Sequence, residues 1–109
     1  MKAIELRPLA EHDLANQTRY YRSVGGTELS DRFLDAAVAT LDAIAAMPKA
    51  GSPRSADLTG VPGLRSRSIP GFRCGWFYLE RTQHIDVVRL VSYSQDLASV
   101  LGDGTCQGE

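Results

Sequence analysis

The chain has 109 residues and a mass of 11.9 kDa, which is the size of one ordinary domain. Hydrophobic residues make up 43% and charged residues 23%, so neither a disordered chain nor a fibrous repeat fits. The formal net charge of -1 argues against a general nucleic-acid-binding protein, because neutralising phosphates needs clustered cationic charge. We therefore expect no direct sequence-specific binding of nucleic acid.

The sequence gives little support for a membrane span, a metal site or a reactive cysteine. No apolar run approaches the roughly 18 residues of a membrane span, and the N-terminus lacks the apolar core of a signal peptide. Cys74 and Cys106 are too few for a disulfide scaffold and have no metal-binding spacing. We expect a cytoplasmic protein with no metal, no cofactor and no membrane contact. A hairpin placing Cys74 near Leu90 and away from His84 makes that cysteine a small strand residue rather than a nucleophile.

The N-terminal half predicts one strand and two helices. Ala3 to Arg7 alternates with the strand period, and Pro8 ends that strand. Apolar residues at helical spacing follow until Gly25-Gly26, which is typical of a helix C-terminus and turn. A second apolar stripe begins near Thr27 and ends at Pro48. Two helices with so short a connection predict an antiparallel helical hairpin.

The C-terminal half predicts a loop and three strands. Residues 48–63 carry three prolines and three glycines and are predicted to be a loop. The strand candidates are Leu64 to Ile69, Phe72 to Glu80 and Ile85 to Ser92, with a turn at 81–83. The last is β-branched and nearly all apolar, which indicates a central strand buried on both faces.

This order of elements predicts an α+β domain with helices packed on one sheet. It consists of an N-terminal strand, the helical hairpin, a three-stranded antiparallel meander and a short C-terminal helix at 95–101. The first strand returns through both helices and can pair beside a later strand. We expect a single domain over residues 1–101 and a flexible tail over 102–109, since the tail has nothing to bury.

Arginine is concentrated in the middle of the chain. Residues 51–81 hold five arginines and only two acidic residues, with no lysine. Strand alternation puts Arg65 and Arg67 on one face, where their guanidinium groups suit phosphate or a partner's carboxylates. A solvated sheet face explains the same pattern, and the sequence leaves both readings open.

Several short motifs, each weak alone, occur together in one order. They are Asp13-Leu14 with Tyr20, the glycines Gly25-Gly26, Arg32-Phe33, Pro48-x-x-Gly51, Gly63-Leu64-Arg65-Ser66-Arg67, Gly71-Phe72-Arg73, Phe77-Tyr78, Val87-Val88-Arg89 and Asp96-Leu97. Over about residues 3–101 this pattern resembles the RelE/ParE superfamily of bacterial type II toxin–antitoxin toxins, and its ParE branch in particular. The fold of that superfamily is the one predicted above.

The resemblance implies one of two activities. RelE-like members cut mRNA on the ribosome, whereas ParE-like members share the fold, poison DNA gyrase and lack the catalytic set. Gln95 and Leu101 stand where the endonucleases carry an arginine and a tyrosine, and neither side chain moves protons or stabilises phosphorane charge. The resemblance thus favours a gyrase inhibitor that is not itself an enzyme. The alternative is a ribosome-dependent mRNA endonuclease, with Arg65, Arg67, Arg73 and Tyr93 as its catalytic candidates.

The resemblance also implies partners. We expect a cognate ParD-like antitoxin, held in a hetero-oligomer, and DNA gyrase as the target. Grooves and strand edges suit an amphipathic antitoxin segment, with Tyr20, Tyr21 and Phe33 as its apolar contacts. Gyrase contacts are expected at the end of the last strand, at Arg89, Tyr93, Gln95 and Asp96. A non-toxic module that only binds antitoxin remains a third interpretation.

Overall fold

The computed structural model describes residues 1–93, and it has the predicted α+β architecture. Two predicted features, the helix at 95–101 and the tail at 102–109, lie outside the described residues. No helix within residues 1–93 has the length and apolarity needed to cross a membrane. The elements are β1 (Ala3–Leu6), α1 (Pro8–Ala46), a 3₁₀ turn (Pro48–Ala50), α2 (Arg54–Thr59), β2 (Arg65–Ser68), β3 (Cys74–Glu80) and β4 (His84–Ser92).

The four strands form one sheet in the order β1-β4-β3-β2. The last three strands pair antiparallel as a meander, and β1 lies parallel to β4 with Ile4 opposite Ile85. β4 is therefore an inner strand, and it has buried residues on both faces. The near-continuous apolar run in its sequence reflects this double burial.

The two helical segments of α1 meet at a single non-helical residue. Residues 8–25 and 27–46 are helical, and only Gly26 departs, with φ 75° and ψ -171°. The rings of Tyr21 and Phe33 nevertheless lie 4.7 Å apart. A straight helix would separate these positions by roughly 18 Å. The predicted Gly25-Gly26 turn is thus a sharp bend at Gly26, where the chain folds back with no intervening loop.

The two faces of the sheet carry separate cores. The larger core packs α1 against the sheet around Trp76, whose indole N–H donates to the Ala37 carbonyl at 3.1 Å. The smaller core lies on the opposite face beneath α2. Its buried residues are Val61, Leu64, Phe77, Val88 and Val91. Because both faces are covered, alternate residues of β3 and β4 enter different cores.

The predicted pairing of Cys74 with Leu90 was wrong by two residues, since Cys74 lies opposite Ser92. The hairpin turn is one residue shorter than predicted, because the Arg81 N–H already donates to the His84 carbonyl at 2.9 Å. A β-bulge between Phe77 and Tyr78 adds one further residue of offset. Cys74 is completely buried, and burial raises the pKa of its thiol to about 11. This environment favours a structural role for the cysteine.

The segment predicted as a loop, residues 48–63, contains the 3₁₀ turn and α2. Ser52 pairs with Ser66 through two backbone hydrogen bonds, N–H to carbonyl at 2.9 and 3.2 Å, just before α2 begins. Gly60 in the left-handed conformation closes the helix. Six residues between proline and glycine give too little apolar periodicity to predict a helix, so only packing against β2 reveals it.

The 48–51 turn is held by two strands of the sheet. The Tyr78 hydroxyl donates to the Pro48 carbonyl at 2.6 Å, and Arg65 donates to the carbonyls of Lys49 and Gly51 at 3.1 and 2.8 Å. A Cβ atom on Gly51 would stand 2.0 Å from the Tyr78 hydroxyl. Glycine is therefore required at position 51 by close approach, not by its backbone angles.

Two acidic residues near the β3–β4 turn are held by cations. Glu80 pairs with Lys2 and Lys49, each at 2.9 Å, and their hydrogen bonds lower the pKa of Glu80 to about 2. The Arg7 side chain donates two hydrogen bonds to Asp86 at 2.9 and 2.8 Å, and lowers the pKa of that carboxyl. Both groups bind fewer protons in the folded chain than in the unfolded chain.

We expect acid to destabilise the fold through these carboxylates. A depressed pKa contributes stability that is present above about pH 4.5 and is lost as the pH falls towards 2. Thermal unfolding between pH 7 and 2 should therefore show a falling melting temperature, and Glu80→Gln should flatten the fall. Glu28→Gln, at an exposed helical position, is the matched control and should keep the parent's dependence. An unaltered slope in Glu80→Gln would contradict this assignment.

Candidate functional site

A groove runs between α1 and the connection from β2 to β3. One wall is the C-terminal end of the first helical segment, including Tyr20 and Tyr21, and the other is the loop through Phe72 and Arg73. The bend at Gly26 brings Leu29 to its floor. This part of the groove has a volume of about 700 Å³. Two helical segments and one loop thus meet at a surface that exists only in the folded chain.

The apolar wall of the groove is a cluster of aromatic rings. The Tyr21 ring lies 4.7 Å from Phe33 and 5.0 Å from Phe72, and Phe72 lies 5.2 Å from Phe33. Tyr20 contacts Tyr21 edge-on at 5.2 Å and is 56% exposed. The cluster therefore extends from the buried ring of Phe33 to the exposed ring of Tyr20, and its contacts hold Tyr20 and Tyr21 at the groove.

Of the three predicted antitoxin contacts, the structure places two at the groove. Phe33 is completely buried, packed against Tyr21 and Phe72. Its side chain therefore has no exposed surface in this structure, and it supports Tyr21 and Phe72 from beneath. Helical periodicity places Phe33 on the apolar face of its helix. Its complete burial depends on Tyr21 and Phe72, which cover it only in the folded chain.

A cation stands at the rim of this apolar surface. Arg73 is exposed and lines the groove with Asn16, Gln17 and Tyr20. Within residues 1–93 its guanidinium makes no hydrogen bond or ion pair. An unpaired guanidinium beside aromatic rings suits a ligand that carries both an apolar group and a carboxylate.

The groove continues along the second helical segment. A further depression of about 570 Å³ shares Leu29 and Phe72 with the first and is lined by Arg32, Asp35 and Ala36. Beyond Pro70 a smaller depression of about 190 Å³ reaches Arg67. The three parts together form an elongated surface that fits a peptide segment better than a compact small molecule.

The outer edge of β2 has fewer free backbone groups for pairing with a partner strand than the sequence suggested. An antitoxin segment was expected to pair with free backbone groups at a strand edge. At Ser66 those groups are taken, because the outward N–H and carbonyl of Ser66 are already hydrogen-bonded to Ser52. Pro70 follows two residues after the end of β2 and has no N–H to donate. The groove, not this strand edge, is the larger surface available to a partner.

Arg89, a predicted gyrase contact, is engaged within the fold. Its Nε and Nη2 atoms donate to the two carboxylate oxygens of Asp13 at 2.6 and 3.0 Å. The Asp13 carboxylate also accepts the backbone N–H of Leu90 at 3.1 Å. The two side chains are only 19% and 12% exposed. Arg89 therefore holds α1 against the C-terminal part of β4, and its guanidinium has little surface left for a target.

Tyr93 lies at the end of the described chain and is 39% exposed. Its hydroxyl lies 2.5 Å from the Ser68 hydroxyl, beside Phe77 and α2. It covers Gly75, where a Cβ atom would stand 2.3 Å from the Tyr93 hydroxyl. The other predicted gyrase contacts, Gln95 and Asp96, lie outside the described residues.

The alternative catalytic residues lie in two separate places. The Tyr93 N–H donates to the Arg73 carbonyl at 2.9 Å, so these two residues are neighbours, but Arg65 and Arg67 lie apart from Tyr93. Arg65 and Arg67 lie opposite Tyr78 and Trp76, on the α1 face of the sheet, whereas Tyr93 packs on the α2 face. The Arg65 guanidinium already donates hydrogen bonds to the backbone carbonyls of Lys49 and Gly51. Within residues 1–93, no three His, Cys, Asp or Glu side chains come close enough to hold a metal ion.

The comparison with known families decides what this architecture is. The chain matches the family model described as "ParE toxin of type II toxin-antitoxin system, parDE" over residues 4–97. The chain belongs to the ParE toxin family. None of the curated proteins matches it in sequence.

A solved structure shows the same fold. It is described as "Chromosomal ParDE TA system from P. aeruginosa" and has a TM-score of 0.72 at 17% identity. The match covers 84% of this chain and 96% of that one. The two chains therefore share a fold while they differ at most positions.

Family membership gives the Asp13–Arg89 pair a clearer meaning. Both residues belong to motifs that carry the resemblance, 76 positions apart, yet nothing in the sequence links them. The pairing became evident only from the fold, which removes most of both charged side chains from solvent and so requires that they be partnered. In this ParE-family chain the pair is a structural connection between α1 and β4.

Proposed function

We propose that this ParE-family chain is the toxin of a type II toxin–antitoxin pair, neutralised by a ParD-like antitoxin that occupies the groove. The observation that carries the proposal is the groove itself, where exposed Tyr20 lies beside an Arg73 guanidinium that has no partner among residues 1–93. Aromatic side chains and arginine are the residues that most often dominate binding energy at protein interfaces. The family match and the ParDE structure support the same kind of partner.

The lining of the groove indicates the chemistry of the bound segment. Tyr20, Leu29 and Phe72 suit aliphatic or aromatic side chains, and Arg73 suits a carboxylate. The extension past Arg32 towards Arg67 adds two more cations against Asp35. We infer an elongated, amphipathic and net acidic antitoxin segment, which forms a hetero-oligomer with the toxin.

Tyr20→Ala and Arg73→Glu should each weaken antitoxin binding by about tenfold or more, which corresponds to about 1.4 kcal/mol. The first variant removes apolar contact, and the second reverses the charge that meets the carboxylate. Binding to the product of the neighbouring reading frame, measured by calorimetry, tests both. The melting temperature should change little, because both side chains are exposed.

Arg54→Glu is the matched control, since Arg54 is an exposed arginine on α2, away from the groove. It should bind antitoxin as the parent does. Parental affinity in both groove variants would remove the groove from consideration as the antitoxin site.

We further propose that the toxin acts on DNA gyrase in the cytoplasm and is not an mRNA endonuclease. The family assignment supports the gyrase branch. The separation of Arg65 and Arg67 from Tyr93 on opposite sheet faces argues against a shared catalytic site. Of the predicted gyrase contacts within residues 1–93, Tyr93 is 39% exposed, whereas Arg89 is paired with Asp13 and only 19% exposed.

Purified protein should inhibit gyrase supercoiling and leave mRNA uncut on translating ribosomes. Tyr93→Ala should lose the inhibition while keeping antitoxin binding, whereas Tyr93→Phe, which removes only one hydrogen bond, should cost about 1 kcal/mol of stability. Tyr93→Phe keeps the ring and shows whether the hydroxyl matters. Cleavage of mRNA that disappears in Arg73→Ala would instead establish the endonuclease. Antitoxin binding with neither activity would identify a non-toxic binding module.

A further inference from the structure

The bend in α1 depends on one residue. Every position from Pro8 to Ala46 is helical except Gly26, whose φ of 75° and ψ of -171° belong to a region that only glycine adopts readily. Connections between packed helices are usually two to eight residues long. Here the helical segments on either side of Gly26 are directly adjacent, so rotation about two backbone bonds decides whether α1 is bent or straight.

A straight α1 would be a continuous helix of 39 residues, about 58 Å long at 1.5 Å per residue. No proline interrupts it after position 8. Straightening would carry residues 1–25 away from the body of the same chain, because Tyr21 and Phe33 would no longer meet. The contacts of that N-terminal segment would be lost unless another surface replaced them.

A second copy of the chain offers an identical surface. The N-terminal segment makes its contacts with residues 27–93: β1 pairs with β4, Asp13 bonds to Arg89 and Leu90, and Tyr21 packs on Phe72. None of these contacts requires that the two sides belong to the same molecule. We propose that this protein has a second, less populated state, a domain-swapped dimer in which residues 1–25 of each copy pack on the other copy, with Gly26 as the hinge.

The glycine pair sets the balance between the two forms. Glycine costs about 1 kcal/mol relative to alanine inside a helix, so Gly25 and Gly26 both disfavour the straight form. Gly25 also permits the bend sterically, since a Cβ atom there would stand 2.4 Å from Leu29 Cδ2. Alanine at either position removes support for the bent chain and improves the continuous helix.

The dimer would keep two complete grooves. Each would join Tyr20 and Tyr21 of one copy to Phe72 and Arg73 of the other. The inference therefore does not rest on the antitoxin or on gyrase, and its test needs neither. The dimer would be a second assembly state of the protein, formed by exchange of the N-terminal segments and not through a new interface.

Gly26→Ala should move the protein from monomer to dimer. Light scattering after gel filtration should give twice 11.9 kDa, with the helical circular-dichroism signal retained. A folded monomeric Gly26→Ala protein would overturn the proposal, because alanine cannot keep the observed backbone angles without strain. Since this variant can also fail to fold, a second experiment keeps the native hinge.

The second experiment uses charge reversal across the Asp13–Arg89 pair. Asp13→Arg and Arg89→Asp are each expected to fold poorly alone, since each places like charges together. Unfolded together and refolded at high concentration, they should give a one-to-one heterodimer, because exchange pairs Arg with Asp at both sites. No heterodimer under these conditions, or a dimer of equal stability from either variant alone, would refute segment exchange.

Discussion

Phe33→Ala should lower the free energy of unfolding by about 3–5 kcal/mol, the usual cost of removing a buried phenylalanine side chain. Phe33 has no exposed surface and joins α1 to the loop before β3 through Tyr21 and Phe72. At about 4–8 °C per kcal/mol for a domain of this size, the melting temperature should fall by more than about 12 °C. Chemical and thermal unfolding of the purified variant measure this loss.

The same variant separates packing from recognition. Phe33→Leu, which leaves a smaller cavity, should recover much of the stability, and antitoxin affinity should follow the folded fraction. Tyr20→Ala should show the reverse pattern, with binding lost and stability kept. If Phe33→Ala stayed fully folded and lost only antitoxin affinity, Phe33 would be a contact residue and the described packing would be incorrect.

Asp13→Ala should destabilise the fold by about 3 kcal/mol. Removing one partner of a largely buried ion pair leaves the other charge uncompensated, at a usual cost of about 3–5 kcal/mol, and residual exposure places this pair near the lower end. The substitution also removes the acceptor of the Leu90 N–H, next to the last β1–β4 contact. Denaturant titration followed by the fluorescence of buried Trp76 reports the change.

Three further variants test the ion pair. Asp13→Asn keeps an acceptor for Leu90 and should be less damaging than Asp13→Ala. The double variant Asp13→Leu/Arg89→Leu should lose less than the sum of its single changes, because no charge is left unpaired. Asp42→Ala, at an exposed position of the same helix, is the matched control and should change stability by less than about 0.5 kcal/mol. Additive losses at Asp13 and Arg89 would show that the two residues are not coupled.

Local patterns in the sequence predicted the strands and the interior position of β4. Alternation and apolar runs report which faces are buried, and burial on both faces leaves a distinctive signature at Ile85 to Ser92. The register between β3 and β4 was harder to predict from the sequence. A turn one residue shorter and a bulge at Phe77 moved Cys74 from Leu90 to Ser92, and neither feature has a strong local signal.

Several motifs that identify the family turn out to contact one another. Tyr78 and Arg65, from two strands, hold the turn between Pro48 and Gly51, and Asp13 holds Arg89. Much of the resemblance therefore reports how the chain is held together. This explains why family membership was predictable from sequence while the roles of these residues were not.

The sequence by itself determined the α+β class, the apolar faces and the family, because these follow from periodicity and from short motifs in a fixed order. Only the tertiary structure decided that Phe33 is buried, that Arg89 is paired with Asp13 and that Arg73 lies exposed beside Tyr20. Exposure and pairing are properties of two surfaces at once. Each of these surfaces is built from segments separated by tens of residues, which meet only after Gly26 bends α1 and the sheet sets its register.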